Sequence, residues 1–281
     1  VAALGVALAV GLAGYGVFVG VTSPGGPSTL VVYAYDSFLG GGCGAPGSSA
    51  HAAAIGAFEA AEHAHVEVIC PTGNLVGTLV GESNAPGADV VVGLDEITGP
   101  QAVADGVLEP YQPPGLSDVP SELSRVLGGA GYLTPYEYGY LAIDYNDSFR
   151  SATGGEVVNW SFPTVASNAT WASDLIIENP TVDITGEEFL LWEIAFYQQV
   201  LHQDWAPFWR AAGPHLQVAP DWTTAFDEFQ TAPGNPPMVV SYSTDPAYAA
   251  VNGGSEFNST VGRWNGSSYG WQTVYGLGIV K

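Results

Sequence analysis

LVVYAY (Leu30–Tyr35), SSAHAAAIGAFEAAEH (Ser48–His63), VEVI (Val66–Ile69), LVGTLVG (Leu75–Gly81) and DVVVGL (Asp89–Leu94) follow one another between Leu30 and Leu94. The first run reads as a buried strand, VEVI as a second, and DVVVGL as a third whose nearly continuous apolar character is that of a strand covered on both faces. The two intervening segments have helical character, and Ser48 or Ser49 stands ready to cap the first. Strand, helix, strand, helix, strand makes a βαβαβ unit. Right-handed crossovers place the loops after Tyr35, Ile69 and Leu94 along one carboxyl edge, where open α/β sheets bind ligands.

Working outward, YGYLAIDY (Tyr138–Tyr145) reads as a long strand, followed by a second region of α/β character. That region holds Thr170–Leu175, a helix over Gly186–Gln203, a helix over Thr223–Thr231 and a strand over Met238–Tyr242. GWQTVYGLGIV (Gly270–Val280) alternates like another long strand. The expected organisation is therefore lobe 1 over 29–135, lobe 2 over 136–261 and a return strand to lobe 1 over 262–281, with two strands crossing between lobes. The chain stops without a helix to complete the layer, so a C-terminal part is expected to be missing. At the other end Val1–Val21 is almost wholly apolar and as long as a bilayer core is thick, which predicts a membrane segment. An uncleaved anchor and a cleaved secretory signal are both open, with an uncleaved anchor favoured. TSPGGPS (Thr22–Ser28) is its linker.

Composition excludes several function classes. The 281 residues carry 28 Asp and Glu against 5 Lys and Arg, a formal charge of −23. Binding to nucleic acid needs clustered cations, which this chain lacks. The acidity fits solubility at high salt, where a Debye length of roughly 3 Å at 1 M screens repulsion between carboxylates. Screening of that kind would also defeat long-range steering, so any preference for a cation must reside in a desolvated site. Five Asn-x-Ser/Thr sequons, at Asn146, Asn159, Asn168, Asn258 and Asn265, favour an extracellular glycoprotein. Cys43 and Cys70 are the two cysteines, too few for a four-cysteine zinc site. Outside the cell their simplest state is a disulfide, and both belong to loops at the same sheet edge. Metal binding with His51, His63 or His65, and a free catalytic thiol, remain alternatives. No nucleophile elbow, P-loop or H-E-x-x-H motif is present.

Five blocks carry a resemblance: VYAYDSF (Val32–Phe38), ADVVVGLD (Ala88–Asp95), PYEYGYLAIDY (Pro135–Tyr145), NPTVDITGEEFLLW (Asn179–Trp192) and SYSTDPAY (Ser241–Tyr248). In this order they resemble the periplasmic-type thiamine-binding proteins of ABC importers. The resemblance implies an α/β, two-lobed, type II periplasmic-binding-protein fold with an interlobe cleft and hinge closure on the ligand. It implies a monomeric, non-enzymatic receptor with no cofactor and no metal site. Its partners would be thiamine or thiamine phosphates, an importer permease with its ATPase, and the outer face of the cytoplasmic membrane through the N-terminal segment.

Thiamine joins a thiazolium cation to an aminopyrimidine, so its receptor needs aromatic faces and carboxylates. A cation over a desolvated aromatic face gains ~0.5–2 kcal/mol. By resemblance the aromatic contacts are Tyr35, Trp222, Tyr242 and Tyr248, with Asp36, Thr72, Gly73 and Asp183 completing the ligand-binding set. Three departures stand out: Gly40–Gly42 where relatives often place a Trp, Thr72 where an acidic residue commonly precedes the glycine, and Asp183 in place of a small hydroxyl residue that meets a phosphorylated ligand. Other readings keep the fold but change the role. A polyamine site would use the same residue types, and relatives of the fold also bind ferric iron, although the adjacent tyrosines expected of an iron site are absent. A thiamine-cleaving enzyme would use Cys70 as nucleophile, with Glu137 or Glu187 as base.

Overall fold

The computed structural model describes residues 28–39, 49–129, 131–231, 236–252 and 256–281. The expected membrane segment over 1–21, linker residues 22–27, Gly40–Gly42 and Cys43 lie outside the described residues, while Ser28, read as the end of the linker, opens the first strand. Among the described residues no helix is long and apolar enough to cross a membrane. The chain divides into two compact units, one running to Tyr138 and resuming over Val274–Lys281, the other comprising Gly139–Thr273.

In the first unit β1 (Ser28–Ala34), β2 (Ala64–Ile69) and β3 (Val90–Leu94) lie in the order β2-β1-β3, with β1 parallel to both neighbours. The helices Ser49–Glu62 and Leu75–Gly81 make the two crossovers. The period of two along β1 explains why its sequence is apolar throughout. Leu30, Val32 and Ala34 face one way, into a cluster with Ile55, Phe58 and Val66. Tyr33 faces the other way, into a cluster with Leu75, Val76 and Leu79. A short strand β4 (Leu108–Glu109) and the long β5 (Leu133–Asn146) follow, and the division between the units falls inside β5.

In the second unit β6 (Leu175–Glu178) is parallel to β7 (Gln217–Ala219) and to β8 (Met238–Tyr242). Strand β8 and β9 (Phe257–Thr260) both run antiparallel to β5. One face of this sheet, through Leu141, Ile143, Leu175, Met238 and Val240, packs on a core rich in aromatic rings. Phe162 sits within that core, with the rings of Trp160, Phe189, Trp192, Phe196 and Phe208 at centroid distances of 4.9 to 5.6 Å. The opposite face, through Ile176 and Val239, meets the helix Trp222–Thr231.

Two details differ from the sequence reading. The helix expected over Gly186–Gln203 is α-helical over Ile184–Ala195 and π-helical over Phe196–Leu201. It starts early because Asp183 caps it, and it stops at His202, whose φ of 54° breaks the ladder while the Gln203 N–H turns back to the Tyr197 carbonyl at 2.9 Å. The stretch read as the beginning of the return strand forms a hairpin of β10 (Gly262–Trp264) and β11 (Ser267–Tyr269). Its turn is Asn265-Gly266, both at positive φ, the pair that a two-residue hairpin favours. Strand β12 (Trp271–Val280) follows and runs antiparallel to β3.

Candidate functional site

In the second unit Asp183, Trp222 and Tyr242 belong to one hydrogen-bonded set. Asp183 Oδ1 accepts the Gly186 N–H at 3.2 Å, and Oδ2 accepts the Trp222 N–H at 3.1 Å. One carboxylate thus satisfies orphan donors at the start of two helices, a position that helix dipoles make favourable for negative charge. The approach depends on Gly186: a Cβ there would lie 2.5 Å from the Glu178 carbonyl oxygen at the end of β6. Trp222 stacks on Phe226 at 4.9 Å and donates its indole Nε1–H to Ser241 Oγ at 2.9 Å. The Tyr242 hydroxyl lies 3.0 Å from Thr185 Oγ1, on the helix that Asp183 caps. Tyr248 is exposed on the helix Asp245–Asn252.

Carboxyl groups surround this set. Glu178 is fully buried, and neither of its oxygens has a hydrogen-bond partner among the described residues. Burial above all, and then the nearby Asp183 and Asp221, push its carboxyl well above the ordinary range. Asp245 Oδ2 accepts from Ser241 Oγ, in a short contact, and from the Tyr242 N–H at 3.1 Å. Asp144 on β5 is buried nearby, its Oδ1 held by Ser259 Oγ and its Oδ2 without a hydrogen-bond partner among the described residues. Burial raises both aspartates, and the proximity of Asp245 raises Asp144 further.

In the first unit Tyr35 follows β1, half-buried, with its ring stacked on Tyr275 at 5.9 Å and edge-on to Phe38 at 5.7 Å. The Tyr136 hydroxyl donates to the Tyr35 hydroxyl at 3.3 Å. Burial, reinforced by Glu137, raises the Tyr35 phenol far above its usual value, so it stays neutral. Gly93 lets this ring lie down: its φ is 98°, and a Cβ there would be 2.2 Å from Tyr35 Cδ1. Cys70 Sγ stands 3.1 Å from the Tyr35 carbonyl oxygen and is not a free thiol. Asp36 is half-buried in the turn after Tyr35, while Thr72 and Gly73 are exposed just beyond Cys70, with Gly73 at a φ of 96°.

No protein-family model matches the chain. A search of solved structures finds a periplasmic thiamin binding protein at TM-score 0.65 and 22% identity, covering 94% of this chain and 76% of that one. Iron-bound HitA from Pseudomonas aeruginosa matches at TM-score 0.66 and 18% identity, covering 91% and 76%. The chain has a type II periplasmic-binding-protein fold. Among curated proteins, the thiamine-binding periplasmic protein of Brucella suis biovar 1 (strain 1330) is 26% identical over 235 residues, 79% of this chain. The chain spans 61% of the length of that relative. At such identities this binding-protein fold is what the structures share, and its ligand has to be argued from side chains.

Sequence reasoning did not single out Asp144, Ser241, Ser259, Thr185, Gly93, Tyr136 or Tyr275. Ser241 and Asp245 flank Tyr242 in SYSTDPAY, and an Asp three residues after a strand-end Tyr is a signal for a side chain that returns to the backbone. Asp144 carried a signal too, as a charge inside the otherwise apolar run LAIDY.

Proposed function

We propose that the chain is the solute-binding component of an ABC importer, that its ligand is thiamine, and that it catalyses no reaction. The observation that carries this reading is the hydrogen-bonded set of Trp222, Tyr242 and Asp183. It offers stacking surfaces beside carboxyl groups, the chemistry a thiazolium cation requires. Tyr35 and Tyr248 are proposed as further aromatic contacts, and Asp36, Thr72 and Gly73 as polar ones. The Brucella suis relative, named for thiamine binding, supports the same ligand. The cysteine nucleophile of a thiamine-cleaving enzyme is disfavoured because Cys70 is not a free thiol. An extracellular location, tethering to the membrane next to the permease and its ATPase, and glycosylation at the sequons belong to this proposal.

Calorimetry at high salt with thiamine, thiamine monophosphate and spermidine tests the ligand. Thiamine is expected to bind most tightly. Tighter binding of spermidine, or of ferric iron in a parallel titration, would overturn the assignment. Asp183 is the proposed reason for a preference against the monophosphate. Its carboxylate already occupies the helix starts that would welcome a phosphate, and an added anion meets like charge there. The monophosphate should bind about ten- to a hundredfold more weakly, a difference of ~1–3 kcal/mol. Asp183→Ser should narrow that ratio. It should also lower stability by ~0.5–2 kcal/mol, because a cap is altered. Equal affinities in the wild type, with a ratio indifferent to the substitution, would leave Asp183 as a cap alone.

We further propose that Cys70 is joined to Cys43, the other cysteine of the chain. In the chain-entropy account such a loop contributes ~3–4 kcal/mol. Thiol titration of the denatured, unreduced protein should find no reactive thiol; two would refute the pairing.

A further inference from the structure

We propose that the glycosylation suggested above falls on Asn265, and that Trp264 is the platform on which its first sugar rests, an inference that builds on the proposed extracellular location. Trp264-Asn265-Gly266-Ser267 closes the hairpin of β10 and β11. Asn265 and Gly266 are its two central residues, at φ of 48° and 79°, as a type I′ turn requires. All three sequon residues, Asn265, Gly266 and Ser267, are exposed. The other four sequons are held in the fold. Asn258 donates its Nδ2–H to Asp147 Oδ1 at 3.0 Å, and the Thr260 of its sequon is buried. Ser161, the hydroxyl residue of the Asn159 sequon, is buried with its Oγ 2.8 Å from Thr164 Oγ1. Asn146 and Asn168 cap helices: Asn146 Oδ1 accepts the Phe149 N–H at 2.8 Å, and Asn168 Oδ1 accepts those of Thr170 and Trp171 at 3.0 and 3.3 Å. Sugar transfer to either would have to turn the amide out of its cap.

The amide must be able to turn because the reaction occurs at its nitrogen. The co-reactant is a glycan activated at its anomeric carbon as a lipid-linked phosphate ester. A bond forms between Asn265 Nδ2 and that carbon, and the bond from the carbon to the phosphate oxygen breaks. The phosphate leaves with the electron pair, and one amide proton passes to solvent. An exposed turn tip accepts this bulk without a change in the strands behind it. Trp264 and Ser267 are register partners, so their side chains share one face of the hairpin, the face of Gly262 and Tyr269. That face rests on the aromatic core of the second unit. The Phe196 ring meets Tyr269 edge-on at 5.5 Å and Trp264 edge-on at 6.3 Å, and a Cβ on Gly262 would lie 3.3 Å from Trp192 Cζ2. Trp264 is only half-buried, so part of its indole remains for the sugar. The C–H groups of a sugar ring carry slight positive charge and suit the negative face of an aromatic ring. A glycan on Asn265 would thus pin the hairpin tip to a ring that is itself seated on the core.

The test starts with the protein isolated from the cells that naturally make it. Trypsin cuts after Arg210 and Arg263, so Asn258 and Asn265 fall on separate peptides, 211–263 and 264–281, each with one sequon. Mass spectrometry should find a glycan on 264–281 and none on 211–263. A bare 264–281 overturns the proposal, whether or not other sequons are occupied. Antibody labelling of intact cells reads the location separately: a chain that antibody reaches only after the cells are opened overturns the extracellular reading, and the proposal with it. Thermal unfolding reads the platform. Ser267→Ala removes the sequon while keeping Asn265, and should lower the melting temperature of the glycosylated protein by about 2–4 °C. The same substitution should change it by less than about 1 °C when both proteins come from a host that attaches no glycan, or when Trp264→Leu is already present. Trp264→Phe should keep most of the loss. A loss of full size beside Trp264→Leu overturns the platform.

Discussion

Replacing Gly93 by alanine should lower both stability and ligand affinity, through a contact that a chain diagram would not reveal. The new Cβ would lie 2.2 Å from Tyr35 Cδ1 and 2.7 Å from Cε1, well inside van der Waals contact. A φ of 98° adds backbone strain of roughly 1–2 kcal/mol for an L-residue. Overpacking of the ring adds about 1–3 kcal/mol, for a total near 2–5 kcal/mol. Tyr35 would have to leave its stack with Tyr275 and its edge contact with Phe38, so on the proposed function, in which Tyr35 is an aromatic contact for thiamine, affinity for thiamine should fall about tenfold or more. Thermal unfolding and calorimetry read the two effects. A double-mutant cycle with Tyr35→Ala separates them: removing the ring relieves the clash but not the strain, so the pair should be less destabilised than the sum of the singles. Simple additivity would show that the ring is not what the new methyl meets.

Phe162→Ala should destabilise the second unit by ~3–5 kcal/mol, since a fully buried ring would be deleted from among five other rings. Denaturant unfolding followed by near-UV circular dichroism checks it, because Trp160 and Trp192 both border the vacated volume. Phe162→Leu keeps most of the apolar volume and should cost less than half as much. A loss under 1 kcal/mol for the alanine variant would show that the core collapses around the gap.

The first unit was legible because its signals are local. The runs at Leu30 and Val90 are buried on two faces, so hydropathy alone marks them, the run at Val66 alternates buried and exposed residues at the sheet edge, and the helix Leu75–Gly81 was read with its observed bounds. The candidate site was half legible. Tyr242 and Trp222 were nominated by resemblance, and the structure ties them together through Asp245 and Ser241, the latter one serine among many in the chain. Asp144 is more than a hundred residues from Ser259, and no local pattern encodes a contact over that separation. The hairpin at Asn265-Gly266 was missed although its turn dipeptide was present, because the flanking strands are three residues each and too short to show alternation.

Strand β8 assigns opposite duties to alternate residues. Met238 and Val240 belong to the aromatic core, whereas Val239 and Ser241 face the helices that carry Trp222 and Asp245. Substitutions on the second face are thus insulated from the packing on the first, by the thickness of one backbone. Descendants of this chain have room to drift in what they recognise while the scaffold is conserved. The reverse path is closed: a one-residue insertion within β8 would exchange the two sets of side chains and forfeit recognition and folding together.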